Sequence, residues 1–265
     1  MILDCHVHFS DRDGFADQLA EEYSRLGVVK ACALGGTWVN GKIEGKILDA
    51  MKQYPNLYLG FGYLRLGEDH ADAVTAFKDA GFTGLKCIRP AACYDDKAYY
   101  PLYERAERLG MPILFHLGIV ARGGNTRYQD TSNDRMRPVH LDTIARAFPD
   151  LQIIGAHFGN PWSDEAAMIA RWNPNIVFDM SGSLLKYRPP EYLKQLLWWG
   201  GDQPQYQAPD KTQPWEKILF GSDVGIDYIE DVMNDYKRTM DAVGLDEEMQ
   251  QKVWYGNAAR ILKLE

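Results

Sequence analysis

Two histidines stand two residues apart at the end of the first apolar run, Cys5-His6-Val7-His8. Side chains of a strand alternate between its faces, so both imidazoles project the same way. Taken alone, such a pair can be satisfied by backbone hydrogen bonds and do no chemistry. Three further apolar runs also end on polar residues: Ile113-Leu114-Phe115-His116, Ile154-Gly155-Ala156-His157 and Leu219-Phe220-Gly221-Ser222-Asp223. Four of the six histidines therefore sit at strand ends beside a carboxylate, the pattern of a metal-binding or catalytic cluster rather than of core histidines. Neutral imidazoles with one carboxylate suit a borderline divalent cation, zinc first, with cobalt, manganese and iron also compatible. Such an ion brings the pKa of water down to about 7 and polarises carbonyls, so hydrolysis is the natural chemistry. Ser222 lacks the glycine pattern of a nucleophile elbow, which argues against a serine hydrolase. His70 and His140 fall at helix starts and are read as ordinary histidines.

A second group of residues bears on the substrate. Lys86 ends the fourth run, where an ammonium can bind an anion. Arg89 follows, and with Arg122 or Arg127 it can grip a carboxylate through paired hydrogen bonds, although each arginine alone can equally be an ordinary solvated or ion-paired loop residue. Trp38, Trp162 and Tyr187 follow strands closely enough to line a pocket, as core or rim aromatics also do. Cys5, Cys32, Cys87 and Cys93 form no C-x-x-C pair and are read as reduced. Cys5, on the strand face opposite His6, is expected to pack against helices.

Something must hold these residues together. Eight short apolar runs alternate with helix-period stretches: 2–8, 28–34, 57–63, 83–88, 112–116, 151–157, 176–180 and 217–220. Amphipathic stretches over 15–26, 71–80, 99–109, 141–148 and 226–243 fill gaps between them, with Gly27, Gly81 and Gly110 placed as helix terminators. A chain of 265 residues matches the roughly 250 of one (β/α)8 TIM barrel, an α/β fold, so residues 1–265 are read as one domain. An open doubly wound sheet shows the same alternation, but the strand count and the polar strand ends favour closure. The polar loop from Gly118 to Pro138 leaves the fifth strand on the active-site side of such a barrel. The 200–214 segment precedes the eighth strand, so it belongs on the opposite face and is assigned to structure or assembly.

The formal net charge of −8 opposes a nucleic-acid partner or an anionic membrane. No apolar run reaches spanning length and no secretory leader is evident, so a cytoplasmic location is expected.

The ordered motifs D-C-H-V-H, F-T-G-L-K-C, I-L-F-H, I-G-A-H-F-G-N, I-L-F-G-S-D and Y-G-N-A-A-R-I-L resemble the amidohydrolase-related family, the group that includes aminocarboxymuconate-semialdehyde decarboxylase, lactonases, hydratases and hydrolases. The resemblance implies that His6, His8, His116 and Asp223 ligate one divalent metal, with His157 beside it in proton transfer or as an electrophile. In the binuclear branch of that superfamily a lysine at the position of Lys86 is carboxylated and bridges two ions, with the residue matching His157 as a further ligand. The closer resemblance favours one ion, and it also suggests a homodimer. The activity expected is metal-dependent hydrolysis of a small, carboxylated amide, lactone or ester. The alternative is a nonoxidative decarboxylase on the same site, and a noncatalytic metal-binding barrel is the third possibility.

Overall fold

A computed structural model describes residues 1–121, 132–182, 184–201 and 203–264. Along the chain run β1 (Ile2–His8), α1 (Phe15–Leu26), β2 (Val28–Val39), β3 (Lys42–Glu44), α2 (Ile47–Gln53), β4 (Tyr58–Tyr63) and α3 (Ala71–Asp79). They are followed by β5 (Gly84–Cys87), α4 (Tyr100–Arg108), β6 (Ile113–Phe115), α5 (Val139–Ala147), β7 (Ile153–Gly155), α6 (Ser163–Trp172) and β8 (Ile176–Asp179). The last elements are α7 (Leu184–Tyr187), α8 (Pro190–Leu196), β9 (Ile218–Leu219), α9 (Ile229–Val243), α10 (Glu247–Gln251) and α11 (Asn257–Leu262). Gly27, Gly81 and Gly110 all take left-handed φ at the helix ends where terminators are expected.

Eight strands pair in parallel in the order β1-β2-β4-β5-β6-β7-β8-β9, a nearly closed TIM barrel. Two backbone hydrogen bonds bridge the seam: Cys5 N–H to the Phe220 carbonyl at 2.9 Å, and Asp223 N–H to the His6 carbonyl at 2.7 Å. Beneath the seam the buried Asp4 carboxylate accepts from the N–H groups of His6 and Ser222 and from the Tyr23 hydroxyl of α1.

One side-chain layer fills the barrel and another lies between strands and helices. Leu3, Cys32, Phe61, Leu114, Ile154 and Val177 belong to the inner cluster, which Ala258, Ile261 and Leu262 of α11 join. Asn257 donates to the carbonyls of Trp215 and Ile218, fixing α11 across the strand-start end of the barrel. Val7, Ala33, Leu85, Phe115 and Phe178 face the helices.

Cys5 departs from expectation by joining the inner cluster. Three steps along β1, from Asp4 to Val7, oppose only two along β2, from Ala31 to Ala33, and this irregularity breaks the alternation that would have turned Cys5 outward. β2 is also longer than its apolar run, because Asn40 and Gly41, both at positive φ, turn it into an antiparallel hairpin with β3. The segment that precedes β9 packs on α6, where the Arg171 guanidinium donates to the carbonyls of Gln205 and Gln207. Among the described residues no helix is long and apolar enough to cross a membrane.

The Tyr236 hydroxyl pins α9 to the sheet by accepting from Met180 N–H at 2.7 Å and donating to the Leu219 carbonyl at 3.1 Å. Tyr236→Phe leaves two buried backbone groups unpaired at a cost of about 1–3 kcal/mol. Thermal denaturation should read this as a Tm several degrees lower. An unchanged Tm would show that the pin contributes nothing.

Candidate metal centre

The seam and the neighbouring strand ends position the polar residues. His6 and His8 lie on β1, Lys86 on β5, and His116 directly follows β6. His157 lies two residues beyond β7 in a short turn, and Asp223 four beyond β9. Non-glycine residues rarely take left-handed backbone, yet Arg89 (φ 52°), His157 (58°), Phe158 (45°) and Asp223 (48°) do so here. Such strain collects where surrounding structure over-determines a functional geometry. Gly221 shows how close the packing is, since a Cβ there would lie 2.9 Å from that of His6 and 3.0 Å from that of Asp179.

His6 Nε2 and His8 Nε2 lie 3.5 and 3.2 Å from Asp223 Oδ1. These three side chains offer ligand atoms all within 4.8 Å of one another. His157 Nε2 stands 3.7 Å from Asp223 Oδ2, and His116 reaches the group through its Nδ1, 3.3 Å from His157 Nε2. Lys86 Nζ lies 3.3 Å from His6 Nε2. A second trio, His6, His157 and Asp179, meets the same distance limit and shares His6 with the first.

Proton positions follow from the hydrogen-bond network. His6 Nδ1–H donates to Asp179 Oδ2 at 2.9 Å, which leaves its Nε2 lone pair facing the centre. The Ser181 hydroxyl donates to Asp179 Oδ1 at 2.6 Å, so its oxygen accepts from His157 Nδ1–H at 2.8 Å. His157 Nε2 is then an acceptor for His116 Nδ1–H. The lone pair of His116 is left at Nε2, which is buried and has no hydrogen-bond partner. A buried acceptor without a donor is costly unless a cation meets it. The trio of His6, His8 and Asp223 is itself a donor set fit for a divalent metal.

Electrostatics agrees. Burial, reinforced by the Lys86 ammonium, lowers His6 to about 4. Burial, then His157 and Lys86, lowers His116 to about 2, and burial also lowers His157. All three are thus neutral imidazoles, the form that binds metal. Burial alone would raise the carboxyl of Asp223, but His6, His8 and His157 outweigh it and hold the group well below the usual carboxylate range. Asp179 behaves likewise under His6, His157 and Ser181. Burial brings Lys86 down to about 8, against the pull of Asp223 and Asp179.

Several residues of the centre were not singled out in the sequence. Asp179 ends an apolar strand just as His116 and His157 follow theirs, a signal of the same kind. Ser181 and Tyr63, whose hydroxyl meets His8 Nδ1 at 2.7 Å, carried none. Arg12 lines a cavity of about 510 Å³ with Ser10, Gly225 and Asp227, next to the exits of β1 and β9. Among the expected substrate contacts, Arg89 follows β5, and its guanidinium makes no hydrogen bond or ion pair among the described residues. Arg122 and Arg127 lie outside the described residues. Trp162 precedes α6 with the Arg137 guanidinium 5.5 Å from its ring centre. Trp38 belongs to the β2–β3 hairpin and packs on the outer core, while Tyr187 is exposed.

A family model described as amidohydrolase matches residues 68–264. The chain belongs to the amidohydrolase family. The superfamily is metal-dependent, in keeping with the histidine and aspartate groups assembled here. His6 and His8 precede the matched stretch, and the barrel seam delivers them to it. Among curated proteins this amidohydrolase is similar to a dihydroorotase of Serratia proteamaculans (strain 568), 29% identical over 168 residues. That alignment covers 58% of this chain and 47% of the relative, so it spans about half of the latter's length. Among solved structures it is similar to an uncharacterized TIM-barrel protein from Bordetella bronchiseptica (TM-score 0.72, 18% identity, 99% of this chain and 98% of that one). It is also similar to a probable 2-pyrone-4,6-dicarboxylic acid hydrolase from Acinetobacter baumannii with citric acid bound (TM-score 0.66, 14% identity, 99% of both chains). A third is 5-carboxyvanillate decarboxylase from Sphingomonas paucimobilis (TM-score 0.64, 13% identity, 100% and 99%). At these identities the structural likeness is one of fold.

The neutral histidines make the metal-free amidohydrolase sensitive to mild acid. The unfolded chain binds a proton at His6 near 6.5 whereas the folded chain resists until about 4, so stability falls as pH drops through that window. His116 and His157 act in the same direction. Asp4 opposes them, because burial raises its carboxyl from 3.8 to about 6 and the folded state takes up that proton first. Three imidazoles outweigh one carboxyl, and chelator-treated protein should have a lower Tm at pH 5 than at pH 7. An equal or higher Tm at pH 5 would contradict the burial of neutral imidazoles.

Proposed function

We propose that this amidohydrolase is an enzyme that hydrolyses a small, carboxylated amide, lactone or ester at the barrel mouth. His6, His8, His116 and Asp223 would hold one divalent ion there, zinc first among zinc, cobalt, manganese and iron. The supporting observation is the Asp223 carboxylate, kept ionised and in reach of His6, His8 and His157. When bound, the ion supplies a Lewis acid that acidifies water and polarises a carbonyl.

The chain's own groups do the rest. Asp223 accepts the proton of the attacking water and passes it to the leaving group. His157, its Nδ1–H fixed by Ser181, turns its Nε2 lone pair toward the same space and orients the water by accepting a hydrogen bond from it; stabilising developing negative charge there would first require Nε2 to take up a proton. Arg89, whose guanidinium has no partner among the described residues, grips the substrate carboxylate, with Arg12 lining the adjacent cavity. Arg122 and Arg127 remain candidates for the same task, and Trp38 and Trp162 for the pocket wall.

Lys86 supports a second reaction. A buried ammonium 3.3 Å from His6 can hold a carboxylate at the centre while His157, after taking a proton from solvent at Nε2, delivers that proton to carbon as carbon dioxide leaves, which is nonoxidative decarboxylation. Lys86 is also where carboxylation would build a bridge between two ions, with His157 as a ligand to the second.

Incubating the metal-loaded enzyme with carboxylated lactones, amides, esters and aromatic acids in ¹⁸O-water separates the two reactions. Hydrolysis predicts one solvent oxygen in the product and no carbon dioxide, whereas carbon dioxide without water addition would overturn it in favour of decarboxylation. On the substrate found, Asp223→Asn should lower kcat by about 10²-fold or more. Arg89→Gln should mainly raise KM, by about tenfold. Full activity in Asp223→Asn would remove the proposed proton acceptor.

A further inference from the structure

A second cluster of ligating side chains stands apart from the barrel mouth. Cys93 and Asp95 lie on the loop between β5 and α4, and His140 is the second residue of α5. One ligand atom from each lies within 4.8 Å of the other two. His140 Nδ1 stands 3.0 Å from Asp95 Oδ1, and His140 Nε2 stands 3.0 Å from the Asp134 carbonyl. A carbonyl can only accept, so Nε2 carries a proton, and Nδ1, which meets the Asp95 carboxylate, is the atom a metal ion would take in place of that contact. Metal-ligating histidines are held in this way, with the far N–H fixed on a backbone acceptor or a carboxylate.

We propose that Cys93 Sγ, an Asp95 carboxylate oxygen and His140 Nδ1 form a second metal site, for a thiophilic divalent ion such as zinc or cobalt. Three protein ligands leave one tetrahedral position for water or a small ligand. Thiolate and carboxylate together neutralise the ion, and the thiol gives its proton to solvent as the metal–sulfur bond forms.

The same residue types could make a nucleophilic Cys-His-Asp set, but there the ring nitrogen remote from the aspartate must face the thiol. Here that nitrogen is occupied by the Asp134 carbonyl. Burial and the carboxylates of Asp95 and Asp134 also push the Cys93 thiol up, the opposite of an activated nucleophile.

The site shares no ligand with the barrel mouth, yet it is tied to it. Tyr94, between the two loop ligands, is buried and donates its hydroxyl to the His116 carbonyl at 2.9 Å. Its N–H reaches the Arg135 carbonyl at 3.3 Å. An ion joining Cys93 and Asp95 to α5 would clamp the segment that holds the backbone of His116.

Titration of the purified protein with cobalt(II), followed by absorption, tests the site. Cobalt–thiolate coordination gives a charge-transfer band in the near ultraviolet, and Cys5, Cys32 and Cys87 are buried, so the band reports on Cys93. The wild type should show it at saturation and Cys93→Ser should lose it, while His140→Ala weakens cobalt binding by about tenfold or more. The His6→Ala/His8→Ala variant should retain the band, which separates this site from the barrel mouth. No band in the wild type at saturating cobalt, or a band that survives Cys93→Ser, would overturn the proposal. Both readings come from soluble wild type and a near-isosteric variant at a half-buried position.

Discussion

A carboxylate buried at the centre of a barrel has to be surrounded by donors, and Asp179 is surrounded completely. It accepts from His6 Nδ1, from the N–H groups of His157 and Ser181, and from the Ser181 hydroxyl. These donors come from three strand exits, so satisfying one buried charge fixes how three segments meet. The same bonds decide where imidazole protons sit. His6 must turn a lone pair to the centre, and the chain from Ser181 through His157 leaves the lone pair of His116 at its buried Nε2. Without Asp179 the ring nitrogens would be free to exchange roles, and the centre would lose its preorganisation.

The barrel supplies the remaining constraints at points where regular strand geometry fails. The irregularity in β1 redirects Cys5 while His6 stays at the centre. At the seam Asp4 joins β1, the β9 exit and α1. Gly221 lets the chain cross against His6 on its way to Asp223. The left-handed backbone of His157 and Asp223 turns both residues off their strand directions, and the packing around them holds the strain.

Most of the architecture was legible in the sequence because strand and helix periods differ and several strands end on polar residues. The eight apolar runs all became barrel strands, and the glycines after three helices all closed them. The β2–β3 hairpin lies beyond the apolar run, which stops at Leu34, and its mark in the sequence is the Asn40-Gly41 turn signal. Alternation placed His6 and His8 correctly together but misplaced Cys5, because an irregularity leaves no mark in the residue types. Asp179 carries a legible signal of the same kind, but an aspartate after Ile-Val-Phe looks like an ordinary strand terminus. Ser181 and Tyr63 could not be found, because their roles depend on distances between segments far apart in the chain. The contact between Cys93, Asp95 and His140 was equally hidden, and His140 looked ordinary at its helix start.

The central claim is that the barrel mouth holds a metal ion through His6, His8 and Asp223, with His116 completing the set. Elemental analysis of metal-replete wild type beside the folded His6→Ala/His8→Ala variant tests it most directly. The account predicts that the variant contains one ion per chain fewer than the wild type, and two fewer if Lys86 bridges a pair. Equal metal content in the two proteins would contradict it.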